Sequence, residues 1–177
     1  MEFSELKFIR LQPETEILPF DCGDHDLNGF LFDDAKNYAK DLMAVTYLLH
    51  NDKETVAYFN YFNDKISHTD IDGNIEMFLE RVGVFLPEGK SDKKSYPAVK
   101  IGRLGVHTKH QSSGLGKAIL DYTKDSFVTN NKTGCKFIVV DAYKNSVKFY
   151  EKNGFMYLSG RDKKSDTRLM YFNLEAI

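Results

Sequence analysis

The stretch from Val99 to Val140 constrains the fold more than any other part of the chain. Residues 99–106 read as an apolar strand, and residues 111–116 as a loop carrying two glycines. Leu115, Ala118, Ile119, Tyr122 and Phe127 mark an amphipathic helix near 114–129. Residues 136–140 are a strongly apolar strand, and a short helix over 146–152 is stopped by Asn153-Gly154. Strands at 155–158 and 168–174 follow. Such alternation argues for a mixed sheet with helices packed on it.

The N-terminal half reads less regularly. Residues 3–11 alternate partly and read as a strand with Leu6, Phe8 and Arg10 on one face. After Pro13 and Pro19, Asp24 is placed to cap a helix running to about Lys40, with Leu27, Phe30, Leu31, Ala35 and Tyr38 on its apolar side. Residues 44–49 and 55–62 suggest a hairpin turned at Asn51-Asp52-Lys53. Residues 63–95 read as a polar insertion within the domain, holding a short helix at 75–81.

Composition bounds the class. The 177 residues are 42% hydrophobic and 28% charged, which fits a soluble globular protein of one domain, residues 1–177. No apolar run reaches the ~18 residues of a membrane span. Residues 1–5 lack the basic and apolar regions of a signal peptide. Two cysteines, Cys22 and Cys135, make no disulfide framework. The expected setting is the cytoplasm, with both thiols reduced.

The net charge of −2 hides a polarity. Residues 1–89 carry 7 Lys and Arg against 18 Asp and Glu, whereas residues 90–177 carry 17 against 8. Either the basic half meets an anionic partner, such as a phosphorylated cofactor, a nucleic acid or a membrane surface, or the halves interleave and balance in space.

The loop Gln111-Ser112-Ser113-Gly114-Leu115-Gly116-Lys117 is the most informative segment. It follows a strand and opens a helix. Small residues let backbone N–H groups converge on a ligand, and a helix N-terminus adds unpaired donors and partial positive charge. Lys109 and Lys117 flank it. It reads either as a pyrophosphate site or as a tight turn. It lacks the Gly spacing of both the P-loop and the dinucleotide fingerprint.

Gln111-x-x-Gly114-x-Gly116 resembles the Gln/Arg-x-x-Gly-x-Gly/Ala signature of the GNAT superfamily of acetyl-CoA-dependent N-acetyltransferases. Residues 139–155 resemble its second signature, ending here in Phe149-Tyr150-Glu151-Lys152-Asn153-Gly154-Phe155. The likeness is strongest over residues 97–158. Phe20-Asp21-Cys22-Gly23, followed by Leu27-Asn28-x-Phe30-Leu31 and Ala35, resembles the opening of a subgroup that includes toxins acetylating aminoacyl-tRNA. Two departures stand out: Ser146 replaces the usual Ala four residues before Tyr150, and Asn145 lies five residues before it. Many members place an Asn seven before, where this chain has Tyr143.

The resemblance implies an α/β (α+β) fold with a mixed, mostly antiparallel sheet of six to seven strands. Helices cover both faces, and the sheet splits in a V between the strands at 100–106 and 136–141. The co-substrate is acetyl-CoA, with no metal. Leu104, Gly105 and Val106 would receive the pantetheine arm. Gln111, Ser112, Ser113, Gly114, Leu115, Gly116 and Lys117 would hold the pyrophosphate, with Asn145 a further contact. Tyr150 would be the general acid in direct attack by a primary amine.

Candidates for a base are His107, Glu76, Glu80 or a relaying water. Arg103 is expected to bind substrate or pair with an acid from the N-terminal half. Lys90, Lys93, Lys94, Arg161, Lys163, Lys164 and Arg168 are the residues a tRNA acceptor would use, or they are solvated loop charges. A toxin acting on aminoacyl-tRNA and a non-catalytic acyl-CoA-binding domain are the alternative functions. A homodimer is a family expectation, and no membrane partner is expected.

Overall fold

The structure, a computed structural model, describes residues 3–71, 75–82, 95–129 and 132–176. These residues supply β1 (Lys7–Arg10), α1 (His25–Gly29), α2 (Ala35–Lys40), β2 (Val45–His50), β3 (Thr55–Ser67) and α3 (Ile75–Val82). They continue with β4 (Ser95–Val106), α4 (Leu115–Thr129), β5 (Phe137–Tyr143), α5 (Val147–Lys152), β6 (Met156–Tyr157) and β7 (Thr167–Asn173). Two compact units result, residues 1–62 with 101–125 and residues 63–100 with 126–177. The long strands β3 and β4 contribute to both. Among the described residues no helix is long and apolar enough to cross a membrane.

The first unit orders its strands β1-β2-β3-β4. β1, β2 and β3 pair antiparallel, with Leu48 opposite Tyr58 and Leu49 opposite Ala57. Both faces of β2 and β3 are buried, which is why their sequences read as continuous apolar runs. Leu48 and Tyr58 pack with Leu11, Phe20, Phe30, Leu31 and Ala35 on the side that α1 and α2 cover. Leu49, Val56, Ala57 and Phe59 pack with Leu115 and Ile119 of α4 on the other side. Full burial of each Leu, Ile, Val or Phe among them contributes roughly 1.5–3 kcal/mol. Two hydroxyls fasten the layers: Tyr58 Oη donates to the Leu27 carbonyl at 2.7 Å, and Tyr61 Oη and Thr123 Oγ1 lie 2.7 Å apart.

The second unit orders its strands β3-β4-β5-β7-β6. β5 and β7 pair antiparallel along their whole length, from Phe137 opposite Asn173 to Tyr143 opposite Thr167. The Lys136 amide donates to the Pro97 carbonyl at 3.0 Å, and Lys100 pairs with Asp141, so β5 runs parallel to β4. The sheet is therefore mixed and mostly antiparallel. Phe78 and Val82 of α3 pack with Ile66, Tyr96, Phe137, Val139 and Tyr171.

Several expected boundaries move. β1 covers only Lys7–Arg10, because Phe3–Glu5 forms a 3-10 turn that the Leu6 amide closes onto the Phe3 carbonyl. The single helix expected over 24–40 is divided by a π-helical stretch, Phe30–Asp34. Its start stands as read: Asp24 Oδ1 accepts from the Leu27 amide at 3.0 Å. The expected insertion at 63–95 is shorter at both ends. β3 runs on to Ser67 with Ile66 buried beneath its polar neighbours, and β4 already begins at Ser95. Lys90, Lys93 and Lys94 lie outside the described residues, as does the side chain of Glu76.

Candidate active site

β4 enters the first unit at Ile101 and carries two glycines whose need is local. A Cβ on Gly102 would lie 2.1 Å from Phe62 Cε2, and one on Gly105 would lie 2.9 Å from Tyr58 Cε1 and 3.1 Å from Phe20 Cζ. The small residues thus admit the protein's own rings on this face of the strand. Both Cβ directions meet β3 side chains of one face, although the glycines are three positions apart and strict alternation would oppose them. Regular alternation is broken between them. The Arg103 amide there donates to the Asn60 side chain, Oδ1 at 2.7 Å. Past that point Leu104 and Val106 pack toward α4.

Arg103 takes the structural part of its two expected roles. Its guanidinium lies 5.2 Å from the Phe30 ring centroid and 3.3 Å from Asp26 Oδ2, and also donates to the Gly102 carbonyl. His107 likewise has a local task. It is 7% exposed, and its Nδ1 accepts from the Lys109 amide at 3.3 Å, capping the 3-10 turn Thr108–His110. With Nδ1 accepting, the ring proton sits on Nε2, which faces Glu54. Both ring nitrogens thus face groups of the protein itself. Glu80, on α3, is exposed.

The loop between that turn and α4 is held from below. Gln111 Nε2 donates to the Cys22 carbonyl at 2.9 Å and the Val106 carbonyl at 3.1 Å. The Gln side chain therefore braces the loop against β4 and the N-terminal segment. That segment is itself fixed: Asn28 Oδ1 accepts from the Cys22 amide, Asn28 Nδ2 donates to Asp21 Oδ1, and the Thr108 amide donates to the Asp21 carbonyl. The Asp21-Cys22-Gly23…Asn28 pattern thus serves the loop.

Above the brace the backbone is unusual. Ser112 (φ 61°) and Gly114 (φ 89°) both lie in the left-handed region. Ser113 Oγ donates to the His110 carbonyl at 2.6 Å. A Cβ on Gly114 would meet nothing within 4 Å, so open space lies beside the loop. Leu115 is buried and anchors the helix start, and α4 makes its first bond from the Ala118 amide to the Gly114 carbonyl. The amides before Ala118 thus stand at a helix N-terminus with no intrahelical acceptor. Lys117 pairs with Asp121 one turn on, and Lys109 pairs with Glu54, so both flanking cations have protein partners. The arrangement suits a di-anionic phosphate held chiefly by backbone donors.

In the second unit Tyr150 sits on α5, 7% exposed, with the Phe149 and Phe155 rings at 5.1 and 5.3 Å. Burial pushes its phenol above the usual range. Among the described residues its hydroxyl makes no hydrogen bond. Asn145 is exposed, and its Oδ1 accepts from Ser146 Oγ. Cys22 and Cys135 are free thiols raised by burial, which does not suit an acyl-cysteine. Among the described residues no group of three or more His, Cys, Asp or Glu is arranged to hold a metal.

Residues 80–172 match the family model for the acetyltransferase (GNAT) domain, which is more than half of the chain. The chain belongs to the GNAT family. Membership makes it an acetyl-CoA-dependent acetyltransferase. Solved GNAT toxins share the fold end to end. AtaTR bound with acetyl-CoA superposes with a TM-score of 0.74 at 19% identity, covering 98% of this chain and 96% of that one. AtaT complexed with acetyl-methionyl-tRNA gives 0.76 at 18%, covering 97% and 96%. A structure described as a bacterial toxin gives 0.78 at 18%, covering 97% and 92%. No curated protein matches the chain.

Proposed function

We propose that this GNAT protein transfers the acetyl group of acetyl-CoA to a primary amine by direct attack within a ternary complex. The observation that carries the reading is the loop at the N-terminus of α4. Its left-handed Ser112 and Gly114, and the open space beside Gly114, leave backbone donors free for a pyrophosphate. Ser112, Ser113, Gly114, Leu115 and Gly116 bind through the backbone, with Gln111 as their brace. The backbone at Leu104, Gly105 and Val106 receives the pantetheine arm and donates to the oxyanion.

The neutral amine nitrogen attacks the thioester carbonyl carbon. The tetrahedral intermediate then expels the CoA sulfur. Tyr150 Oη gives its proton to that thiolate, and the proton lost from the amine leaves through water and restores the phenol. Burial keeps the phenol protonated at neutral pH, and it also makes that phenol a weaker donor, so its part rests on its place in the motif and not on its acidity. The same reading places residues 1–177 in the cytoplasm as one catalytic domain, alone or as a homodimer.

A more specific acceptor, the α-amine of aminoacyl-tRNA, is favoured by the nearly complete overlap with the toxin folds. Part of the basic surface it would use is committed elsewhere. Arg168 pairs with Asp162 and stacks on Tyr157, and Arg161 donates to the Thr69 and Ile71 carbonyls. Lys163 and Lys164 are exposed.

Labelled acetyl-CoA, purified protein and bulk charged tRNA test both levels. Label on aminoacyl-tRNA, with turnover reduced about 10²–10⁴-fold in Tyr150→Phe at unchanged acetyl-CoA affinity, is the expected result. Label on free amines alone removes the tRNA acceptor. Unchanged turnover in Tyr150→Phe removes the general acid.

A further inference from the structure

The turn that delivers the chain from β4 into the loop is gripped by a single distant carboxylate. Glu54 sits in the β2–β3 hairpin, which is rigidly built. Asn51 Oδ1 accepts from the Lys53 and Glu54 amides, each at 2.8 Å, and the Thr55 amide donates to the Pro19 carbonyl. From there the carboxylate reaches three residues in four. Oε1 accepts from His110 Nε2 at 2.9 Å, and Oε2 accepts from Lys109 Nζ at 2.7 Å. His107 Nε2 lies 3.5 Å from Oε2. The Glu54 side chain is only 13% exposed, and those of His107 and His110 are 9% and 18%.

We infer that Glu54 is a positioning residue for acetyl-CoA: it sets the Thr108–His110 turn and, through it, the backbone donors of the loop. The route is contiguous. Glu54 fixes the His110 side chain, Ser113 Oγ donates to the His110 carbonyl, and the backbone passes directly into the left-handed Ser112 and Gly114. A carboxylate this close to an anion site opposes phosphate binding by charge alone. Its three cationic or ring N–H partners absorb that charge, so Glu54 acts by geometry. The pairing also occupies Lys109, leaving the loop's backbone as the main phosphate donor.

The inference rests on the loop being the pyrophosphate site, and the test separates the two. Dissociation constants for acetyl-CoA and for S-acetylpantetheine, which lacks the pyrophosphate, are measured for Glu54→Ala, Glu54→Gln and Gly116→Asp. Melting temperature identifies any variant that fails to fold. Glu54→Gln keeps the volume and decides the matter if Glu54→Ala does not fold. The expected result is a loss of about tenfold in acetyl-CoA affinity for the Glu54 variants. S-acetylpantetheine affinity stays unchanged, and kcat at saturating acetyl-CoA stays within about twofold of the wild type. A merely structural loss would lower both affinities and kcat together, and overturns the inference. Acetyl-CoA affinity lost in Gly116→Asp but kept in the folded Glu54 variants overturns the role of Glu54 alone. Affinity kept in Gly116→Asp removes the loop reading and the inference with it.

Discussion

At the scale of single residues, the two glycines of β4 are required by what comes close to the strand. The close objects are Tyr58 and Phe20 at Gly105 and Phe62 at Gly102, all distant in sequence. Gly105→Ala pushes a methyl into two buried rings, which have no room to rotate away inside the cluster of Leu31, Leu48 and Phe30. The expected cost is about 1–3 kcal/mol of overpacking, measured by urea unfolding. Because the strand must shift to relieve it, the same variant lowers turnover more than a surface substitution of equal stability cost. Tyr150 could be singled out from the sequence because the motif around it, Phe149 to Phe155, is one contiguous segment. Gln111 could be singled out from its motif, but its part as a brace could not be read, because its partners Cys22 and Val106 are brought to it by the fold.

Among elements, those with strong local periodicity were readable and those shaped by distant packing were not. α4 and β5 run close to their expected spans because Leu115 and Ile119 bury one face of the helix at a regular repeat, and Phe137–Val140 are a continuous run buried on both faces of the strand. β3 outlasts its apolar run because Asn63 and Lys65 face outward while Ile66 returns to the core. No local pattern announces the π-helical stretch after α1, since Leu27, Phe30, Leu31 and Ala35 satisfy an ordinary helical repeat equally well. The start of that element is a sharper matter. Asp24 satisfies one of the donors that a helix N-terminus leaves unpaired, and Asp26 lies in the first turn. Asp24→Ala is expected to cost about 1 kcal/mol, and to lower Tm by about 2–4 °C. Asn28, one turn on, holds the Cys22 amide, so fraying also loosens the carbonyl that Gln111 grips. A thermal melt gives the first effect, and acetyl-CoA affinity gives the second.

Across the whole molecule, the charge polarity of the sequence is largely an effect of where the chain is cut. Divided at Gly89, the halves look strongly acidic and strongly basic. Divided as the chain folds, the first unit carries 9 Lys and Arg against 14 Asp and Glu, and the second 15 against 12. Two ion pairs join the acidic half to the basic one within the first unit, Glu54 with Lys109 and Asp26 with Arg103. The remaining asymmetry bears on acid stability. Hydrogen bonds from Lys109 and His110 hold the Glu54 carboxyl down at about 2 from its ordinary 4.5. The Gly23 amide and the Asn28 side chain hold Asp21 below 3.8. A carboxylate depressed in the folded state stabilises fully above its ordinary value, and that contribution is lost as pH falls toward the folded value. The Glu54 contribution is therefore intact at neutral pH and disappears between about pH 5 and pH 2. Urea midpoints of the wild type and Glu54→Gln, followed down through this window, should converge, because protonation removes from the wild type what the substitution has already removed. A gap that stays constant to pH 2 would mean that Glu54 holds the turn by packing and neutral hydrogen bonding, with its charge irrelevant to the fold.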